Sequence, residues 1–107
     1  MARKARAIWS QEAREDLKSI VLYIGRQDRR PATAAKIARE IKAKSDDYAA
    51  HFAAGNVTGT HRPELGEDHR VFSHKRWVVI FRPRNQSIEV LRVVDGAQDY
   101  PTLFGGR

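Results

Sequence analysis

The sequence predicts an α+β fold, a helical hairpin packed on an antiparallel sheet, with its elements in the order β-α-α-β-β-β. Three observations predict it. Two apolar stripes recur at three- and four-residue steps in the first half of the chain, three β-rich runs follow one another in the second half, and a stretch dense in Gly, Asn, Thr and Pro separates the two patterns.

The first element is a short strand at Ala7, Ile8 and Trp9. Ser10 then offers an N-cap oxygen, with Glu12 and Glu15 in the first turns, where the helix dipole favours negative charge. Ala13, Leu17, Ile20, Val21 and Ile24 fall on one stripe of the first helix, which Gly25 and the polar residues from Gln27 to Arg30 bring to an end. Pro31 suits the first turn of a second helix, where a missing N–H has no partner to lose. Ala34, Ile37, Ala38, Ile41, Ser45, Tyr48 and Phe52 keep one face of that helix, and its small alanines permit close approach to the first. The short connection makes the pair antiparallel and leaves their stripes to cover a sheet.

Residues 55–66 are expected to be a loop. Strands are expected at Arg70 to Ser73, Trp77 to Phe81 and Ile88 to Val94, joined by polar turns at His74 to Arg76 and Pro83 to Gln86. In the middle run Trp77, Val79 and Phe81 point to one face and Val78 and Ile80 to the other. Both faces are apolar, so this strand is central; one face packs on the helices and the other needs a cover. A partner, a second copy, the basic N-terminal arm or the tail carrying Tyr100, Leu103 and Phe104 would each serve.

The 107 residues fit one domain, 1–107. A hydrophobic fraction of 41% alongside 31% charged residues excludes a disordered chain. Twenty Lys and Arg against thirteen Asp and Glu give a net charge of +7, which attracts anionic partners without naming a reaction. The absence of cysteine excludes disulfides, thiolate zinc sites and cysteine nucleophiles. Only Ala7, Ile8 and Trp9 follow the basic start before polar sequence resumes, too few for a signal core or a membrane span, so a cytoplasmic protein is expected.

Three stretches carry a resemblance to a known family. Ala13, Asp16, Leu17, Ile20, Tyr23 and Ile24 form the first; Gly59, Arg62, Glu64, Leu65, Gly66, Arg70 and Phe72 the second; and the run from Ile88 to Asp99, reading IEVLRVVDGAQD, the third. In order and spacing they resemble the ParE branch of the RelE/ParE toxin–antitoxin superfamily, over roughly residues 7–99. Asp95 stands where the family usually has histidine and Ala97 where arginine is common. The resemblance implies a RelE/ParE-like fold and a toxin that inhibits DNA gyrase by binding, kept inactive by a ParD-like antitoxin that lays apolar residues into its groove. It implies no cofactor, and contact with nucleic acid only through gyrase or the antitoxin. Residues expected to meet a partner are Trp77, Val79 and Phe81 with Arg70, Arg82 and Arg92.

The rival within the superfamily is the RelE-like branch, which cuts messenger RNA on the ribosome. That chemistry needs cations to stabilise a pentacovalent phosphate and a base to take the 2′-hydroxyl proton. Arg62, Arg70 and Arg92 would supply the charge, with Arg82 beside them, but no base stands out. His69 and His74 flank a strand in a basic, exposed setting and read as solvated side chains, with Glu64 the remaining candidate. Arg62, Glu64, Arg70 and Arg92 also read as cross-strand partners that fix register. His51 and His61 have no zinc-binding spacing, so no metal site is assigned. Trp77 and Phe81 read as core or groove residues, and Trp9 as a cover for a sheet edge.

Overall fold

The computed structural model describes residues 5–27 and 29–97. Over them the chain forms β1 (Ile8–Trp9), α1 (Gln11–Gln27), α2 (Pro31–Ala53), β2 (Thr60–His61), β3 (Arg70–His74), β4 (Trp77–Arg84) and β5 (Ser87–Asp95). The strands lie in the order β1-β5-β4-β3-β2. The pairs from β2 to β5 are antiparallel, whereas β1 runs parallel to β5, with Ile8 opposite Glu89 and Trp9 opposite Val90. The result is the α+β hairpin-on-sheet architecture that the periodicity predicts, with two differences at the sheet's margins. Its β1 edge is parallel, and two residues of the expected loop, Thr60 and His61, pair with Val71 and Arg70 as a short edge strand.

Ser10 caps α1 as expected: the Ala13 amide donates to its Oγ at 3.0 Å, and the Arg14 amide to its carbonyl at 3.1 Å. Pro31 opens α2, and Arg30 before it is pushed out of helical geometry to φ −128° and ψ 74°. At the far end Gly55, with φ +88°, terminates α2. The Asn56 amide donates to the His51 carbonyl and the Gly55 amide to that of Phe52, at 2.8 and 2.9 Å, a Schellman ending in which a left-handed residue satisfies the last free carbonyls.

The hairpin turns are tighter than the polar runs suggest. His74 is paired with Trp77, leaving only Lys75 and Arg76 in the first turn. Arg84 is paired with Ser87, so Asn85 and Gln86, with φ of 51° and 60°, make the second. Pro83, expected in a turn, belongs to β4. The pairing of β3 with β4 ends at Arg70 and Phe81, so the proline's missing N–H costs no ladder bond beyond that point.

The main core lies between the hairpin and one face of the sheet. Ala13, Leu17, Ile20 and Ile24 of α1 and Ala34, Ile41 and Ala49 of α2 pack on Phe72, Trp77, Val79, Phe81, Ile88, Val90 and Val93. Tyr48 stacks on Phe72 with centroids 4.4 Å apart and meets Phe81 edge-on at 5.6 Å. Trp77, Val79 and Phe81, expected to face a partner, are therefore core residues, 5%, 0% and 2% exposed, closed off by the helices. The opposite face is also covered: Val71, Val78, Ile80 and Val94 cluster with Leu65, all at or below 9% exposure. That side does not stand open for a companion, and part of its cover is the turn after β2. The tail residues Tyr100, Leu103 and Phe104, considered for the same task, lie outside the described residues.

Candidate functional site

The functional candidates gather where β5 departs from regular pairing. Ile80 is opposite Arg92 and Phe81 opposite Val90, so Leu91 is an extra residue in β5. Such a bulge shifts the alternation of side chains by one. Ile88, Val90 and then Val93, rather than position 92, face the helices, which is why Arg92 escapes the core that a strict two-residue period would assign it. The bulge frees backbone groups that α1 takes up. Ser10 Oγ donates to the Leu91 carbonyl at 3.0 Å, and the Val93 amide donates to Asp16 Oδ2 at 3.0 Å. The Arg92 guanidinium closes on the same carboxylate as a two-pronged pair, Nε to Oδ2 at 2.7 Å and a terminal nitrogen to Oδ1 at 3.0 Å. The hydrogen bond to Asp16 is the largest influence raising the Arg92 pKa above its ordinary value.

Beside this clamp is a cleft of about 390 Å³ lined by Asp16, Ser19, Tyr23, Arg76, Trp77 and Arg92, among others. Arg76 sits over two rings, 5.0 Å from the Trp77 centroid and 5.9 Å from that of Tyr23, and pairs with Asp95. That hydrogen bond raises the Arg76 pKa; on the other side it is the main influence lowering the Asp95 pKa, with the Ala97 amide adding to it. Tyr23 is 46% exposed despite its size. Arg76 carries no signal in the sequence because its position in a tight turn has no periodicity; the juxtaposition with Tyr23 is made by packing α1 along β5, beside the β3–β4 turn.

The other arginines are held by the protein itself. Arg70 donates from Nε to the Thr58 carbonyl and from a terminal nitrogen to the Gly59 carbonyl, both at 2.9 Å. Those bonds fix Gly59, whose φ of +86° and 2.8 Å clearance between a notional Cβ and the Phe81 ring leave no room for a side chain. Arg62 pairs with Glu64, whose pKa is lowered by its own backbone amide first and by Arg62 second. Arg82 and Arg84 share Glu89 at 3.0 and 3.1 Å. Arg70 on β3 and Arg92 on β5 have β4 between them, roughly 10 Å at ordinary strand spacing. Arg62, Arg70 and Arg92 are thus each engaged with an intramolecular partner.

Of the histidines, His74 Nε2 donates to Glu40 Oε1 at 2.9 Å, joining β3 to α2 and lowering the Glu40 pKa, while His61 Nε2 donates to the Glu67 carbonyl at 2.9 Å. Among the described residues no three of His, Asp and Glu come together in a way that would hold a metal ion. No helix among them is long and apolar enough to cross a membrane.

A family profile described as the ParE toxin of the type II toxin–antitoxin system parDE matches residues 7–100. Among solved structures, a chain of the "Chromosomal ParDE TA system from P. aeruginosa" superposes with a TM-score of 0.67 at 20% identity, covering 88% of this chain and 98% of that one. At that identity the likeness concerns the fold. No curated protein matches.

Proposed function

We propose, from the premise that this chain belongs to the ParE toxin family of type II toxin–antitoxin systems, that it is a toxin that inhibits DNA gyrase by binding and is neutralised by a ParD-like antitoxin. The carrying observation is the family match across residues 7–100, which takes in every described helix and strand. The side-chain arrangement supports binding over chemistry. A ribonuclease of this fold needs cations free to meet a phosphate near a proton acceptor. Here Arg70 is spent on two backbone carbonyls and Arg92 on Asp16. The surface best suited to a macromolecular target is the Tyr23–Arg76 region, since exposed tyrosine and arginine over a buried tryptophan are the residue types that dominate interfaces. The cytoplasm, where gyrase works, is the expected site of action.

The test is a supercoiling reaction containing purified gyrase, relaxed and supercoiled plasmid and the purified chain. Linear DNA released by detergent and protease is the expected product, increasing with toxin concentration. Gyrase that supercoils at its normal rate and leaves no cleaved plasmid would overturn the assignment. Transcript cleavage at ribosome-bound codons in the same preparation would point to the RelE-like activity instead.

A further inference from the structure

At the far end of the β4–β5 hairpin the sheet carries arginines on the face turned away from the helices. Phe81, Ile88 and Val90 point into the main core, so by strand alternation Arg82, Arg84 and Glu89 belong to the opposite face. The Glu89 side chain lies beneath, 12% exposed, and Arg82 and Arg84 close over it at 3.0 and 3.1 Å with 41% and 47% of their own side chains open to solvent. Two guanidiniums on one carboxylate leave a positive charge uncompensated. Backbone bonding brings Arg6 alongside: the Ser87 hydroxyl donates to the Arg6 carbonyl at 2.7 Å, and Ser87 is the cross-strand partner of Arg84. Arg6 is exposed, and so is Arg14 in the first turns of α1, with which it lines one hollow beside β1. Neither is in an ion pair among the described residues. The cations thus run from β4 across β5 to the β1 edge, two strand spacings or roughly 10 Å.

We infer that this arginine row binds the phosphate backbone of duplex DNA directly. Its shape and charge select a rod-like polyanion. Duplex DNA carries one charge for about every 1.7 Å of its axis, so a stretch as long as the row sets roughly six phosphate charges against it. Arg82 gives Nε and Arg84 one terminal nitrogen to Glu89, and the other N–H groups of both have no partner among the described residues, which leaves them for phosphate oxygens. An acidic protein would need a buried apolar or aromatic anchor beside the charges, whereas the hairpin end presents exposed Asn85 and Gln86. A second copy of this chain, with its own net charge of +7, would bring like charge to the row. The inference goes beyond the gyrase reading and rests on it only in naming the DNA as the duplex that gyrase cuts; the chemistry of the row stands on its own.

The probe is a fluorescein-labelled DNA duplex of about two helical turns. Anisotropy measured on the whole chain is expected to show saturable binding whose logarithm falls linearly with that of the salt concentration. The double variant R82Q/R84Q is expected to weaken binding about tenfold and to flatten the salt slope by about two. E89Q removes the carboxylate that competes with phosphate, and is expected to tighten binding about threefold or more, which the loss of a merely structural ion pair would not do. R26Q/R29Q takes the same charge from exposed positions around the α1–α2 connection and is expected to weaken binding far less. Circular dichroism of the variants establishes that they fold. The inference is overturned if the duplex does not bind, if folded R82Q/R84Q binds like the parent or no more weakly than R26Q/R29Q, or if folded E89Q binds no tighter than the parent. It is also overturned if polyglutamate, phosphatidylglycerol vesicles or single-stranded RNA bind as tightly as the duplex, which would assign the row to another polyanion. The gyrase reaction is read separately: duplex binding with an unaffected gyrase removes the toxin reading and keeps the row, and gyrase poisoned by a chain that does not bind the duplex removes the row alone.

Discussion

Asp16 is one carboxylate serving three donors: both prongs of Arg92 and the amide of Val93. Each bond to a charged group is worth about 1.5 to 3 kcal/mol when its partner would otherwise be stranded, but the three are not additive. Asp16→Ala is therefore expected to lower stability by about 3 kcal/mol, read as a shifted urea midpoint with unchanged slope. Arg92→Lys keeps the charge and loses the fork, and should recover less than half of the difference between Arg92→Ala and the parent. Gly59 makes a different kind of demand. A side chain there meets left-handed backbone and the Phe81 ring together, so Gly59→Ala is expected to destabilise by roughly 3 kcal/mol and to lower the melting temperature by more than about 10 °C. A shift of a degree or two would show that the ring yields freely. Asp16, Gly59, Arg70 and Arg92 could all be picked out in the sequence as motif positions, but their roles could not: nothing in the spacing of Asp16 and Arg92, 76 positions apart, says that they touch.

At the scale of elements, the junction of α1 with β5 matters most, because one serine serves both. Ser10 Oγ accepts from the Ala13 amide as the helix cap and donates to the carbonyl of Leu91, the residue inserted by the bulge. Ser10→Ala removes a cap worth about 1 kcal/mol and a second hydrogen bond of similar size, so a loss near 2 kcal/mol is expected, while Ser10→Gly, which makes neither bond but is itself well tolerated at a helix N-cap, should lose closer to about 1 kcal/mol. Amide exchange offers the sharper check: protection at Val90 and Val93 should fall more than at Val79 if the serine anchors the bulge. A uniform drop would mean that it does not. The helices and the three long strands were legible because each keeps one apolar period over two turns or several residues. The bulge left a fainter trace, apolar residues at 88, 90 and 93, which looks like noise until the β4 partner shows which residue is extra. The two-residue strand β2 left none, since Thr60 and His61 are strand only by virtue of lying beside β3.

Across the whole molecule, carboxylates tie together elements distant in sequence, and their titration sets the response to acid. Glu40 holds His74 across α2 and β3, and Asp95 holds Arg76 across the β3–β4 turn and β5. Both have pKa values lowered below the ordinary 4.5 and 3.8. A carboxylate with a depressed folded-state value stabilises the protein above its unfolded value, and that contribution disappears as pH falls through the folded one. Stability should hold from pH 7 to about 5 and decline below about 4.5, and Asp95→Asn should make the acid limb shallower. A parent and variant with superimposable limbs would show that Asp95 is not linked to folding. The chain's own sequence determined the class of fold, the hairpin stripes, the capped and proline-marked helix starts and the family pattern, because each depends on neighbours within a few positions or on the order of motifs. The tertiary structure alone decided which sheet face the helices cover, so that Trp77, Val79 and Phe81 became core. It also turned Arg70 and Arg92 into internal ties and set Tyr23 beside Arg76. Those outcomes depend on how surfaces distant in sequence meet, and a period of two or of 3.6 residues identifies a face without saying what will lie against it.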